Sequence, residues 1–105
     1  MTTTARRRNE LGAYGEALAA RHLVDLGMVL LDRNWRCPEG EIDLVALDGE
    51  ALVFIEVKTR TSTAFGHPFE AITPGKLSRL RRLAAAWLAA NGPVRRATRL
   101  RIDAI

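Results

Sequence analysis

The chain is poor in the features that mark secreted, membrane-spanning or zinc-binding proteins. Its single cysteine, Cys37, cannot form an internal disulfide and has no CxxC partner for a zinc site, which fits a reducing compartment. No apolar run approaches the ~18 residues that a membrane span needs. The polar start MTTTARRRNE also lacks the apolar stretch of a secretory signal. We therefore expect a cytoplasmic protein that does not use a membrane as a partner.

Lysine is also scarce. Of the 16 basic residues only Lys58 and Lys76 are lysines, so the chain uses arginine wherever charge alone is needed. A compact, rotatable ammonium is not replaceable by a planar guanidinium at a crowded phosphate or water site. The two lysines therefore mark candidate positions of chemical need. For Lys76 chance is the alternative, because an exposed helix N-terminus tolerates almost any polar side chain.

The charges are unevenly distributed along a chain whose 105 residues and 48% apolar content suit a single domain. Residues 9–70 hold eleven acids against five bases, whereas residues 71–105 hold eight bases against one acid. Residues 1–8, with three arginines, are expected to form a basic tail. An acidic centre between basic ends suits a phosphate-cleaving site, since carboxylates hold metal and arginines hold the polyanion. A solvated, arginine-rich surface is the alternative.

Hydrophobic periodicity predicts two helices. The first covers residues 4–26, with Gly27 where a left-handed cap is common. The second begins with Thr73 as its N-cap and Pro74 at the first helical position, and Asn91-Gly92-Pro93 ends it. The expected apolar stripes are Leu11, Tyr14, Leu18 and Leu23 in the first helix and Leu77, Leu80, Leu83, Trp87 and Leu88 in the second.

Strand patterns lie at residues 28–36, 41–47, 51–59 and 98–105, and a polar loop is expected around residues 59–68. Asp48-Gly49 is a hairpin signal, so the second and third strands should pair antiparallel. A helix between the third and fourth strands favours parallel pairing of those two. We expect an α/β fold with a mixed sheet and helices packed against it. On the second strand, one face should carry Ile42, Leu44 and Ala46, and the other Glu41, Asp43 and Val45.

Three ionisable residues lie on the predicted hairpin. Glu56 and Lys58 are two residues apart, hence on one face and about 6.6 Å apart at ~3.3 Å per residue. Asp43 precedes the turn by about as much as Glu56 follows it, and paired strands lie ~4.8 Å apart. Asp43 and Glu56 can therefore reach one ion. The alternative is a surface ion pair of Glu56 with Lys58, which the apolar residues around the strand disfavour.

This grouping predicts a site for a divalent metal. The carboxylates of Asp43 and Glu56, with the backbone carbonyl of Val57, form a hard oxygen site that favours Mg²⁺ or Mn²⁺ over zinc. Such an ion polarises a phosphate and lowers the pKa of a bound water, while Lys58 stabilises or orients that nucleophile. Glu16, on the first helix, is a candidate to complete the metal shell or hold a metal-bound water.

Basic residues near the site are candidate nucleic-acid contacts. Arg79 and Arg82 follow Lys76 at i+3 and i+6 and share its helical face. For any one of them a solvated surface is the alternative. Trp35 and Phe65 could stack on bases, with aromatic packing the alternative, whereas Trp87 should belong to the core. His22 and His67 have no partner at metal-ligand spacing. The nucleic-acid contacts we propose from sequence are Lys76, Arg79, Arg82, Arg60 and Arg36.

Several short motifs together resemble a known family. They are Gly15-Glu16, Arg33-Asn34-Trp35-Arg36, Gly40-Glu41-Ile42-Asp43-Leu44-Val45, Phe54-Ile55-Glu56-Val57-Lys58-Thr59-Arg60, Phe65-Gly66 and Lys76. This set resembles the YraN-like family of small bacterial proteins, which is similar to archaeal Holliday-junction resolvases and other PD-(D/E)XK nucleases. The resemblance covers residues 11–105. It departs from the superfamily pattern in having Ile42 where a proline would precede Asp43.

The resemblance implies roles for four residues. Asp43 and Glu56 would bind the metal, Lys58 would serve the water, and Glu16 would be the helix acid of the site. It also implies a restriction-endonuclease-like fold, with a mixed sheet between helices.

Two functions from different classes follow. The first is Mg²⁺-dependent phosphodiester hydrolysis on DNA, with branched DNA as a candidate substrate. The second is a non-catalytic nucleic-acid-binding module that keeps the nuclease shape. A weaker third reading is an interaction domain that recruits a partner through its basic surface. The option of a homodimer stays open.

Overall fold

The computed structural model describes the backbone of residues 3–58 and 73–105, and the side chains of residues 14–58 and 73–105. The predictions made for Arg60, Phe65, His67 and the side chain of Leu11 lie outside these ranges.

Two helices and four strands make up the described chain. The strands form one sheet in the order β1-β2-β3-β4. The pairings of β1 with β2 and of β2 with β3 are antiparallel, and that of β3 with β4 is parallel. The predicted mixed α/β fold is thus confirmed. The elements are α1 (Thr3–Asp25), β1 (Val29–Cys37), β2 (Gly40–Asp48), β3 (Ala51–Glu56), α2 (Pro74–Asn91) and β4 (Arg99–Ala104).

Local signals set where these elements begin and end. Thr73 Oγ1 accepts a hydrogen bond of 3.2 Å from the Lys76 N–H, which satisfies one of the free donors at the start of α2. At the other end of α2, Gly92 has φ 81° and its N–H donates to the Leu88 carbonyl at 2.8 Å. Gly49, with φ 60°, turns the β2–β3 hairpin. These predicted boundaries are confirmed.

The helices cover opposite faces of the sheet. Side chains alternate between the faces of β3, so Val53 packs with α1 and Phe54 packs with α2. The α1 face buries Ala19, Ala20, Leu23, Leu44, Ala46, Ala51, Val53 and Ile55. The α2 face buries Ile42, Val45, Leu52, Phe54, Leu80, Leu83, Ala84 and Trp87. Each face therefore has its own apolar layer, and the sheet lies between them.

Trp87 anchors the α2 layer, as its place in the apolar stripe predicted. Its ring meets Phe54 nearly edge-on, with centroids 5.7 Å apart. Its indole N–H donates to the carboxylate of Asp32 on β1 at 2.9 Å. The tryptophan thus buries a large apolar surface while its polar atom keeps a partner.

The predicted apolar stripe of α1 is wrong at two positions. Tyr14 is 63% exposed and Leu18 is 52% exposed. Two small residues, Ala19 and Ala20, pack against the sheet instead, together with Leu23. Large apolar residues at near-helical spacing marked the helix correctly but not its buried face, because alanine side chains let a helix lie close to a sheet.

The alternation of β2 also differs from the prediction. Ile42 packs with the α2 layer and Leu44 with the α1 layer, although residues two apart on a regular strand share a face. On the partner strand, Arg33 faces Glu16 of α1 and Trp35 packs with the α2 layer, and Asn34 between them has φ 51°. Asparagine tolerates this left-handed conformation better than most residues. The face switch, as we call Asn34 and Asp43 together, lies between the pairs Arg33 with Leu44 and Trp35 with Ile42.

No helix in residues 3–58 and 73–105 is both long enough and apolar enough to span a membrane.

Candidate functional site

A pocket of about 300 Å³ opens where β2 begins and β3 ends. Asp43 of β2 and Glu56 of β3 both line it, so the structure brings together the two acids proposed from the hairpin. Helix α2 closes one side with Arg79 and Leu80. The full lining is Glu39, Gly40, Glu41, Asp43, Ile55, Glu56, Arg79 and Leu80.

Asp43 lies at the face switch, where its carboxylate turns to the neighbouring strand. Its Oδ2 accepts a hydrogen bond of 2.8 Å from the backbone N–H of Val57. Burial raises the pKa of Asp43 above its ordinary value; the Val57 hydrogen bond opposes this, and the charges of Glu41 and Glu56 add to it. One oxygen is therefore fixed by the backbone, in a carboxylate that its surroundings make costly to ionise.

Glu56 is the last residue of β3 and faces α2. Its side chain is 19% exposed, and Oε1 lies 3.8 Å from Nη2 of Arg79. Its Oε2 is buried and has no hydrogen-bond partner within the described ranges. Leaving a buried carboxylate oxygen without a partner costs free energy that a bound cation would recover.

Glu16 approaches from α1, on the other face of the sheet. Its side chain is 10% exposed, and Oε1 lies 3.9 Å from Nε of Arg33. This oxygen too is buried and lacks a hydrogen-bond partner among the residues that the structure describes. Burial and the negative charge of Asp43 raise the pKa of Glu16, while Arg33 and the Asn34 side chain lower it. Glu16 is thus electrostatically coupled to Asp43 although it does not line the pocket.

Lys58 lies beyond β3, which ends three residues before the predicted boundary. The backbone nevertheless stays paired with the end of the chain. The Ile105 N–H donates to the Glu56 carbonyl at 2.9 Å, and the Lys58 N–H donates to the Ile105 carbonyl at 2.7 Å. The Lys58 side chain is half-buried and is not part of the pocket lining. Its proximity to Asp43 and Glu56 remains a prediction from the two-residue period of extended chain.

The donor set predicted for a metal consists of two carboxylates and a backbone carbonyl. Within residues 14–58 and 73–105, no group of three His, Cys, Asp or Glu side chains has the arrangement to hold one ion. The set proposed from sequence needs two such side chains, Asp43 and Glu56, with the Val57 carbonyl as the third donor. The unpartnered oxygen of Glu56 and the raised pKa of Asp43 fit a site whose negative charge is only partly neutralised.

The predicted nucleic-acid contacts fall into two groups. Arg79 and Arg36 pair with acids of the site: Arg79 with Glu56, and Arg36 Nε with Glu41 Oε2 at 3.2 Å. Lys76 and Arg82 are exposed on α2, where Arg82 donates to the Ser78 hydroxyl at 3.0 Å. Only the second group presents charge to solvent without an acidic partner among the described residues.

Three residues that had no predicted role also shape this site. Glu41 lines the pocket and raises the pKa of Asp43. Arg33 and Asn34 are neighbours of Glu16. All three belong to motifs that carried the family resemblance, so the signal was present but had no assigned role. Trp35 packs against the α2 layer, which confirms the packing alternative for that residue.

Comparison with known proteins identifies relatives over nearly the whole chain. The model of uncharacterised protein family UPF0102 matches residues 15–105. A UPF0102 protein of Beutenbergia cavernae is 57% identical over 100 residues, which cover 95% of this chain and 85% of the relative. One from a Nocardioides species is 62% identical over 85 residues, covering 81% and 68%. One from Acidothermus cellulolyticus is 55% identical over 95 residues, covering 90% and 72%.

Proposed function

The chain belongs to the uncharacterised protein family UPF0102, and we propose that it is a metal-dependent endonuclease that hydrolyses phosphodiester bonds in DNA. Branched DNA is a candidate substrate. One observation carries the proposal: Asp43 and Glu56, from neighbouring strands, line one pocket, and an oxygen of Glu56 is buried there without a hydrogen-bond partner in the described chain. A mixed sheet between two helices is compatible with a fold of the PD-(D/E)XK type.

The residues that would hold the metal are Asp43 and Glu56 through their carboxylates and Val57 through its carbonyl. Oxygen donors of this kind suit Mg²⁺ or Mn²⁺. When bound, such an ion polarises the scissile phosphate and lowers the pKa of an attacking water. The 2.8 Å hydrogen bond from Val57 to Asp43 holds one carboxylate in place before any ion arrives, which reduces the rearrangement that binding requires.

The remaining residues act on water and on phosphate. Lys58 orients the water or neutralises the charge that develops as it attacks, a role for which a compact ammonium is suited. Glu16, whose charge is coupled to that of Asp43, supplies a further acceptor for water near the ion. Lys76 and Arg82 of α2, exposed to solvent, contact the phosphate backbone and position the duplex.

A second function, DNA binding without cleavage, is favoured by a different observation. Lys58 does not line the pocket that holds Asp43 and Glu56. If the lysine stays apart from the two acids when DNA binds, the protein keeps a basic helix and an acidic pocket but has no group to activate water. The two functions therefore differ in the role of Lys58.

A cleavage assay tests the choice. Linear, flapped and four-way DNA are incubated with Mn²⁺ and either the parent protein, Lys58→Ala or Lys76→Ala. We expect the parent to cut at least one substrate and Lys58→Ala to lose about a hundredfold or more in rate, which is typical for a group that assists proton transfer. Lys76→Ala removes the other lysine, a proposed phosphate contact, so it should weaken DNA binding but retain most of the rate when DNA is saturating.

Cleavage at the parental rate by Lys58→Ala would overturn the assigned role. Binding of these DNAs by a parent protein that cuts none of them would favour the non-catalytic function.

A further inference from the structure

We propose that Arg79 exchanges one anion for another: it neutralises Glu56 in the metal-free protein, and it binds a phosphodiester group of DNA once a divalent cation has taken over Glu56. The inference rests on the proposed function, since it assumes that the pocket binds metal and that the protein binds DNA. It adds a coupling between those two events and assigns it to one side chain.

The first support is the geometry of the Arg79 ion pair. Nη2 of Arg79 lies 3.8 Å from Oε1 of Glu56, a distance too long for a hydrogen bond. The arginine side chain is 48% exposed. The guanidinium is therefore close enough to neutralise the carboxylate, but no hydrogen bond to the carboxylate fixes its position. An exposed arginine in such a pair can turn away at small cost.

The second support is the state of the acids. Glu56 Oε2 is buried without a hydrogen-bond partner in the described part of the chain, and so is Glu16 Oε1, whose side chain is 10% exposed. Arg79 therefore balances the charge of Glu56 without filling its coordination. A divalent ion in the pocket would bind the free oxygen of Glu56 directly and would repel the guanidinium, because two cations would then share one pocket.

Arg79 differs in this respect from the two other arginines that face acids of the site. Arg36 and Glu41 form a surface pair with side chains 78% and 49% exposed, and Arg33 faces Glu16 on the α1 side. Neither Arg36 nor Arg33 pairs with Asp43 or Glu56, whereas Arg79 pairs with Glu56 and lines the pocket itself. Displacement by metal would therefore release Arg79 at the mouth of the site, where a scissile phosphate would lie. A planar guanidinium can bind phosphate with two parallel hydrogen bonds.

The test measures DNA affinity by fluorescence anisotropy, with a labelled linear duplex at several NaCl concentrations. Affinity is measured in two conditions, with Ca²⁺ as the divalent ion and with EDTA, which removes divalent ions. Arg79→Ala is compared with Arg82→Ala, which removes an arginine from the same helix that pairs with Ser78 and not with Glu56. Without metal, Arg79→Ala should bind within about twofold of the parent, because the arginine is engaged with Glu56.

With Ca²⁺, Arg79→Ala should bind about five- to tenfold more weakly than the parent, and its salt slope should be smaller by about 0.9, the value for one lost phosphate contact. Arg82→Ala should weaken binding by the same factor in both conditions. An equal effect of Arg79→Ala with and without Ca²⁺ would overturn the exchange.

A metal-free arm separates this inference from the proposed function. In EDTA, Glu56→Gln should release Arg79 and strengthen DNA binding. The gain should disappear when Arg79→Ala is added to Glu56→Gln. Glu41→Gln, which removes a charge from the same pocket, should also strengthen binding, and that gain should persist when Arg79→Ala is added to it. If the Arg79-dependent gain is seen but Ca²⁺ does not change the DNA affinity, the release of Arg79 would be supported and the metal site would not. A gain from Glu56→Gln that does not depend on Arg79 would refute the exchange even if the protein cleaves DNA with Mn²⁺.

Discussion

At the scale of single residues, the site is governed by how each carboxylate is compensated. Asp43 has a backbone N–H, Glu56 has Arg79 at 3.8 Å, and Glu16 has Arg33 at 3.9 Å. For Asp43 and Glu16 the compensation is incomplete, because burial and neighbouring negative charge still raise the pKa of both. In their ionised form and without metal, these two residues therefore destabilise the fold.

The sign of this effect predicts a pH dependence. Because the pKa of Glu16 is higher in the fold than its ordinary value of 4.5, the folded state binds more protons between the two values. The contribution of this residue to stability therefore falls as pH rises through that window, and the penalty is constant above it. Glu16→Gln removes the penalty. In EDTA we expect Glu16→Gln to melt at a higher temperature than the parent near neutral pH.

The advantage of Glu16→Gln should shrink as the pH is lowered toward the ordinary value of 4.5. Thermal unfolding followed by circular dichroism over this range provides the measurement, and Asp25→Asn, which changes an exposed acid at the end of α1, is the control. A destabilised Glu16→Gln at neutral pH would show that Arg33 and Asn34 outweigh burial.

At the scale of elements, the decisive feature is the face switch of Asn34 and Asp43. At this switch, the carboxylate of Asp43 interacts with residues of both helices. Asp43 lines the same pocket as Arg79 of α2, and its charge raises the pKa of Glu16 of α1. A regular strand would commit Asp43 to one face. The irregularity therefore brings residues from both helices to the end of the hairpin.

Substitutions at Asn34 test this dependence. Its φ of 51° is accessible to asparagine and glycine but strained for a β-branched residue. We expect Asn34→Gly to unfold within about 1 kcal/mol of the parent, and Asn34→Val to lose about 2 kcal/mol. Denaturant unfolding gives both values. Arg36→Val places the same residue at an exposed position of the same strand and should cost less. Equal losses for the two valine variants would mean that the backbone at Asn34 carries no special constraint.

Comparison of pattern and structure shows which elements could be foreseen. Asp48-Gly49, Thr73-Pro74 and Asn91-Gly92-Pro93 act through local backbone chemistry, so the boundaries they predicted are confirmed. The pairing of Asp43 and Glu56 in one pocket followed from their equal distance from the hairpin turn. The buried face of α1 and the face switch could not be foreseen, because both depend on how two layers pack against one sheet.

At the scale of the whole molecule, two apolar layers hold a sheet whose central strands end in charged groups. β2 and β3 are buried on both faces through most of their length, and their open end carries Asp43 and Glu56. The hairpin positions the acids, and burial prevents water from fully solvating them. A ligand that binds only the folded state stabilises it by mass action. Metal binding should therefore raise the melting temperature.

The central claim is that Asp43 and Glu56 together bind a divalent cation, and isothermal titration of Mn²⁺ into the metal-free protein tests it most directly. We predict saturable binding by the parent and at least about tenfold weaker binding by Asp43→Asn, because the amide can still accept the Val57 hydrogen bond but brings no negative charge. The control Asp25→Asn should bind Mn²⁺ as the parent does. No saturable binding by the parent, or equal binding by parent and Asp43→Asn, would contradict the account.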